Sequence, residues 1–446
     1  MQNLSDYRDA PGTGPMPRTL LVIDEFQEFF TEDDKLAQDA SLLIDRLVRQ
    51  GRAFGLHVFL GSQTIGGAGG LGRATLTQMA IRIALMTSEA DSQLILGDGN
   101  SAARLLSRPG EAIYNDQGGL VEANSPFQVA WLPDEQRDQF LKNVLKKTRE
   151  LNAFYGEPAV VFEGNAPADI TKNRILLKLL DERPKQQPLA PVAWMGEPVA
   201  IKDPSGTLMR RQSGANVLIV GQADEQALSI MVAQMVSLSA QHPKGTAIFY
   251  VMDGTPADSP LAGTFDRLRD VIPHEMKLID YKGVDAAFAE LAEEQARRAA
   301  LDTPDYPSIY VMIYGLQRYR QLRKSEDSFS FGGDEEKKPQ PDKQFAELMR
   351  EGPNVGMHLV TWCDTPASVE RTLDRGSMRE FDNRVLFQMS ANDSSNLIDS
   401  PAANKLGMFR ALVFSEEQGV MEKFRPYGLG DKAWFDFLRT KFAHYT

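Results

Sequence analysis

Three blocks of this chain occur twice, in the same order. LLVIDEFQEF (20–29) lies over YVMIYGLQRY (310–319), GLHVFLGSQT (55–64) over GMHLVTWCDT (356–365), and RIALMTSEADS (82–92) over RVLFQMSANDS (384–394). In the last pair, Arg82 to Asp91-Ser92 and Arg384 to Asp393-Ser394 keep one spacing. Strand propensity alone does not put the same Gly-x-His, the same Arg and the same Asp-Ser in both copies. The repeat therefore restricts the chain to two domains of one fold.

Within each copy, apolar strands alternate with helices. RTLLVID (18–24) reads as a buried strand, and LHVFLGSQ (56–63) and MAIRIALMT (79–87) as further apolar strands. Residues 36–55 carry apolar side chains at 36, 40, 43, 44, 47 and 48, a helical spacing that Gly55 closes. SEADSQLIL starts another helix, and residues 134–156 form a long amphipathic one closed by Gly156. Such alternation predicts an α/β protein with a mostly parallel sheet. The expected organisation is a first domain over 1–163, a proline-rich connector over 164–205 and a second domain over 206–446. Residues 323–343 are charged and rich in Gly and Pro, and read as a surface loop.

Composition narrows the function. The 446 residues suit two or three domains. No apolar run approaches the length of a membrane-spanning helix, and MQNLSDYRDAPGTGPMPR lacks the apolar core of a secretion signal. Cys363 is the only cysteine, so no internal disulfide forms, which fits a reducing, cytoplasmic setting. The five histidines and one cysteine have no zinc-ligand spacing. A net charge of −12 argues against nucleic acid coating the whole surface, but not against a locally basic pore.

The chemistry sits in the first copy. A strand ending in Asp24-Glu25 suits a nucleotide-hydrolysing centre: Asp24 would hold Mg²⁺ through water at the phosphates, and Glu25 would polarise the attacking water. The competing reading is an acidic helix start. Gln63 ends the next strand beside Ser62, placed to sense a γ-phosphate from within the sheet, or is a plain turn residue. Arg82 opens the third strand. It could reach a neighbouring subunit's phosphates, or could serve as a salt bridge to Asp91 or a surface contact; its recurrence as Arg384 favours the structural role.

The second copy has lost this chemistry. Where a phosphate loop reads G-x-x-x-x-G-K-[ST], it has GQADEQAL (221–228), with Gln226, Ala227 and Leu228 at the last three places and Asp224 and Glu225 added. Tyr314 and Gly315 replace the Asp-Glu pair. The first copy has only residues 1–19 ahead of Leu20, against residues 222–309 between Gly221 and Tyr310 in the second. A block on the order of 70 residues, holding the phosphate loop, is therefore expected to lie upstream. The first sheet should be incomplete and the strand 56–62 unpaired on one edge.

On NLSDYR (3–8), MPRTLLVIDEFQEF (16–29), LVRQGRAFGLHVFLGSQ (47–63), RIALMTSEADSQLIL (82–96) and LLSRPGEAIYN (105–115), the first copy resembles the FtsK/SpoIIIE family of ring-forming motor ATPases. The likeness spans 1–132 well and 213–430 more loosely, and departs from the family in lacking a Walker A loop. It implies two tandem RecA-like P-loop domains, the first incomplete, with ATP and Mg²⁺ bound by the first domain in a longer parent and a hexameric homo-oligomer tethered to a membrane through other regions. The implied cargo is DNA, moved through the ring. A protein-secretion ATPase of the EccC type is the alternative, to which the tandem with a degenerate second copy points. A third reading is a pseudo-ATPase module that binds a peptide or regulator at the vacated pocket.

Overall fold

Each copy of the repeat builds its own α/β unit, Met1–Glu157 and Pro158–Thr446. The computed structural model describes residues 3–445 apart from 15, 32–33, 66–70, 152–165, 183, 201, 304 and 325–339.

In the first unit, β1 (Thr19–Ile23) and β2 (Leu56–Leu60) form a parallel pair. β3 (Arg82–Leu85), β4 (Glu111–Asn115) and β5 (Ser125–Gln128) form a separate antiparallel sheet. The helix Lys35–Gln50 links β1 to β2. Asp34 starts it by accepting the Ala37 N–H at 2.9 Å, and Ala37 and Ile44 pack on Phe26 and Phe30. A short turn then ends at Gly55, whose φ of 75° favours glycine. The helix Glu89–Leu96 follows β3 and is capped by Ser88.

The second unit contains β6 (Val192–Pro198), β7 (Ser205–Leu208), β8 (Val217–Val220), β9 (Ala247–Asp253), β10 (Glu275–Ile279), β11 (Ser308–Tyr314), β12 (Met357–Cys363), β13 (Asn383–Leu386), β14 (Ala411–Ser415) and β15 (Val420–Pro426). They form one sheet in the order β10-β9-β11-β12-β8-β13-β14-β15-β6-β7. The run from β10 to β13 is parallel and the rest antiparallel. The helix Asp224–Gln241 is buried nearly all round and shares one core with Val217, Ile219, Tyr310 and Met312. The helices Val284–Ala299 and Pro341–Glu351 supply Phe288, Leu291, Phe345 and Leu348 to the core on the other face. A sheet covered on both faces explains why its strands are continuous apolar runs.

The repeat holds in three dimensions. Leu20 pairs with His57 as Tyr310 pairs with His358, and β3 runs antiparallel to β4 as β13 does to β14. The difference lies between them. β8 pairs with both β12 and β13, whereas among the described residues no strand stands between β2 and β3.

The segment 164–205 is not a connector. Its helix Arg174–Glu182 and strand β6 place Leu176, Leu180, Ala193, Trp194 and Met195 in the second unit's core. Its prolines misled because Pro184, Pro188 and Pro191 precede β6 and Pro198 ends it, positions a strand tolerates. The long helix of the first unit runs Asp134–Glu150, and the expected closure at Gly156 lies outside the described residues. So does 325–339 of the surface loop, which ends at a helix beginning with Pro341. No helix among the described residues is long and apolar enough to cross a membrane.

Candidate functional site

β1 delivers Asp24 and Glu25 to its carboxyl end, where α/β sheets bind ligands. Asp24 is exposed, and among the described residues accepts one hydrogen bond, from the Glu25 N–H at 3.1 Å. Its Oδ1 lies 2.9 Å from where a Cβ on residue 61 would sit, so Gly61 leaves room for the carboxylate. Glu25 has left-handed backbone, φ 52° and ψ 46°, an unusual conformation for a residue with a side chain.

The Glu25 carboxylate is held by two amides. Gln27 Nε2 donates to Oε2 at 2.5 Å and Gln63 Nε2 to Oε1 at 2.6 Å. The Gln63 N–H reaches Oε2 at 3.4 Å. These donors, Gln27 first and then Gln63, hold the carboxyl below the usual carboxylate range. Ser62 Oγ donates to Gln27 Oε1 at 2.5 Å, which orients that amide toward Glu25. β2 ends at Leu60, so Ser62 and Gln63 stand in the loop beyond it rather than at the strand's end. That loop is tied to the next helix: Thr64 Oγ1 and the Ile65 N–H both donate to Asp91 Oδ1, at 3.1 and 3.0 Å. Gln27 went unnoticed in the sequence, although the repeat sets Gln317 at the matching place.

Arg82 is not gathered into this cluster. It is buried, and its guanidinium donates to the carbonyls of Met79 (3.1 Å), Leu96 (3.0 Å), Ile95 (3.4 Å) and Thr77 (3.4 Å). Arg384 repeats the arrangement, reaching Leu397 O at 3.0 Å and Met378 O at 3.1 Å. The repeated Asp-Ser is explained likewise. Ser88 and Asp91, like Ser390 and Asp393, form helix caps, while Ser92 and Ser394 bond the loops after those helices.

In the second unit the equivalent place is filled by aromatic rings. Tyr314 stacks on Trp362 with centroids 4.6 Å apart. Trp362 Nε1 donates to Gly221 O at 3.1 Å, and Tyr314 Oη to Asp224 O at 3.0 Å. These bonds pin the 221–224 turn by its carbonyls. Ala227 and Leu228, where a lysine and a hydroxyl residue would stand, are fully buried.

Mg²⁺ at the first site would need one exposed carboxylate plus waters and phosphate oxygens, and Asp24 fits that demand. Among the described residues, no group of three or more His, Cys, Asp or Glu is arranged to hold a metal on its own.

No family profile matches the chain, and no curated protein does. Among solved structures, the cytoplasmic domain of the type VII secretion ATPase EccC from Thermomonospora curvata matches 99% of the chain at 18% identity, TM-score 0.63. EssC ATPases 2 and 3 from Geobacillus thermodenitrificans match 96% at 14% identity, TM-score 0.54, with 74% of that chain covered. Thermomonospora curvata EccC ATPases 2 and 3, in complex with a signal sequence peptide, match 96% at 11% identity, TM-score 0.51, with 71% covered. The chain spans about half, 52%, of the first of these. At such identities the likeness shows the fold alone: this chain has the tandem RecA-like fold of these secretion-ATPase domains.

Proposed function

We propose that the first unit carries the metal-and-water end of an ATP site in an FtsK/SpoIIIE-type motor, and that the second unit is its non-hydrolysing partner. The observation that carries this reading is Glu25. It keeps a left-handed backbone that its counterpart Gly315 adopts with ease, and two amides hold its carboxylate. Bound Mg²⁺ would neutralise phosphate charge. Asp24 would hold it through water, and Glu25, ionised at neutral pH, would orient and deprotonate the attacking water once one amide lets go. The phosphate grip needs backbone N–H groups and a lysine, and no G-x-x-x-x-G-K-[ST] occurs in the chain.

The test is ATP turnover by the chain joined behind a strand–helix segment carrying that loop. Glu25→Gln should abolish turnover and leave ATP binding intact, and Asp24→Ala should weaken both. Turnover indifferent to Glu25→Gln would overturn the assignment.

For the cargo, the tandem with an inert second unit supports a polypeptide. The wording of the first copy, DSQLILGDGNSAARLLSRPGEAIY (91–114), supports DNA as the second reading. Binding measured over a salt series separates them, because only phosphate contacts give a steep fall with salt. A ring of identical subunits, the assembly the resemblance implies, belongs to the same proposal.

A further inference from the structure

In the first unit the loop after β2 is held at both ends. At one end Gln63 meets Glu25: its Nε2 donates to Oε1 at 2.6 Å and its N–H reaches Oε2 at 3.4 Å. At the other, the next two residues converge on a single atom. Thr64 Oγ1 and the Ile65 N–H donate to Asp91 Oδ1 at 3.1 and 3.0 Å. Asp91 is itself fixed, because Ser88 Oγ donates to its Oδ2 at 2.9 Å and accepts its N–H at 3.1 Å. The helix Glu89–Leu96 that carries Asp91 is tied at its far end, where Arg82 donates to Leu96 O at 3.0 Å. Hydrogen bonds to a carboxylate are shorter and stronger than those between neutral groups. Asp91 is therefore a firm anchor for a loop whose Gln63 and Thr64 are exposed.

The second copy has the same Asp but not the anchor. Ile65 falls opposite Pro366, which has no N–H to give. Thr365, opposite Thr64, turns its hydroxyl to Ser368 Oγ at 2.9 Å and caps the helix Pro366–Glu370. Among the described residues Asp393 bonds Ser390 alone, through its N–H and its Oδ2. A helix cap accounts for all that Asp393 does and for only part of what Asp91 does. The added bonds belong to the copy with Asp24-Glu25 and are missing from the copy with Tyr314-Gly315.

We infer that Asp91 is a positioning residue for the site at Glu25, acting through Thr64 and Ile65 on the backbone of Gln63. With that backbone fixed, the Gln63 amide can leave Glu25 when water and phosphate arrive and still remain in the site. Without the anchor the amide has to be ordered again at each turnover, and kcat falls. The inference rests on the reading of Glu25 as the group that activates water.

The test follows the 446-residue chain, isotope-labelled in glutamine and isoleucine, by NMR. Asp91→Ala should make the Gln63 side-chain amide and the Ile65 N–H exchange at least about tenfold faster. Asp91→Asn keeps an acceptor oxygen and should restore both. Ser88→Ala loses the cap but keeps the carboxylate, and should leave both as they are, as should Asp393→Ala. In the joined chain of the turnover test above, Asp91→Ala should lower kcat about tenfold with KM for ATP unchanged, and Asp91→Asn should recover most of the loss. Gln63 and Ile65 unmoved by Asp91→Ala would overturn the inference. Equal release by Ser88→Ala would also overturn it, by making the cap the cause. So would a freed Gln63 amide with kcat unchanged or raised. Turnover indifferent to Glu25→Gln is the separate sign that the underlying reading has failed, and the inference falls with it.

Discussion

Glu25 and Gly315 occupy one turn in the two copies, and both are left-handed, at φ 52°, ψ 46° and φ 87°, ψ 56°. Glycine adopts that conformation without strain and glutamate does not. Glu25→Gly should therefore raise the melting temperature of the first unit by a few degrees, although it removes the carboxylate. Glu25→Val, with a branched Cβ at the same turn, should lower it. Thermal unfolding followed by calorimetry checks both, with Glu25→Ala as the reference that also lacks the carboxylate, and a Glu25→Gly no more stable than Glu25→Ala would show that the turn is not strained.

The amides of Gln27 and Gln63 lower the Glu25 pKa from the ordinary 4.5. A depressed carboxyl stabilises the fold above its unfolded pKa and loses that contribution as pH falls through the folded value. Carbon-detected NMR titration should place Glu25 below ordinary glutamates. Gln27→Leu and Gln63→Leu should each move it back up, Gln27→Leu by more. An unshifted Glu25 in the wild type would mean that the amides do not hold it.

Arg82 serves the carbonyls at the end of the helix Glu89–Leu96. Arg82→Leu should destabilise the first unit by about 1–3 kcal/mol, since it removes charge-assisted hydrogen bonds from a buried site. In an active assembly, any loss of turnover should persist when Arg82→Leu subunits are mixed with Glu25→Gln subunits. Recovered activity across the interface would instead make Arg82 a residue that completes a neighbour's site.

Three buried histidines tie the second unit to pH. His242 lies 2.8 Å from Leu238 O and 3.3 Å from Tyr310 Oη, His358 lies 2.8 Å from Ala215 O, and His274 lies 3.1 Å from Ser239 O. Burial, with smaller contributions from Arg211, pushes His242 and His358 from 6.5 down to about 4. Burial lowers His274 as well. These groups are neutral when folded and protonate more readily when unfolded. Stability should hold above pH 6.5 and fall steadily toward pH 4, by on the order of 3 kcal/mol for each of His242 and His358. Urea unfolding of the second unit between pH 7.5 and 4.5 measures this. His242→Gln should flatten the profile, and a flat wild-type profile would contradict the burial argument.

The fold was legible in the sequence because the residues common to both copies are its fixtures. Gly55 and Gly356 are left-handed turns, Arg82 and Arg384 bond helix ends, and Ser88-Asp91 and Ser390-Asp393 are caps. Their reasons were not legible, since backbone carbonyls have no letter in a sequence. Asp24 and Glu25 stood out through the opposite signal, as a pair that the second copy replaces with Tyr314 and Gly315. Gln27 escaped because an amide two residues past a carboxylate has no spacing rule, and only the geometry turns it back on Glu25. The segment 164–205 was misread because its prolines flank β6 rather than interrupt it. That, among the described residues, no strand stands between β2 and β3 was expected from laying the two copies over each other.

On the function proposed, the first unit holds the catalytic half of an ATP site and the second a filled, inert pocket. Calorimetric titration of Mg–ATP into the 446-residue chain, with phosphate release followed in parallel, tests it most directly. No G-x-x-x-x-G-K-[ST] occurs in the chain, and in the second unit Tyr314 and Trp362 hold the 221–224 turn by its carbonyls. The predicted result is no binding in the low-micromolar range and no turnover above background. Tight binding accompanied by turnover that Glu25→Gln abolishes would contradict it.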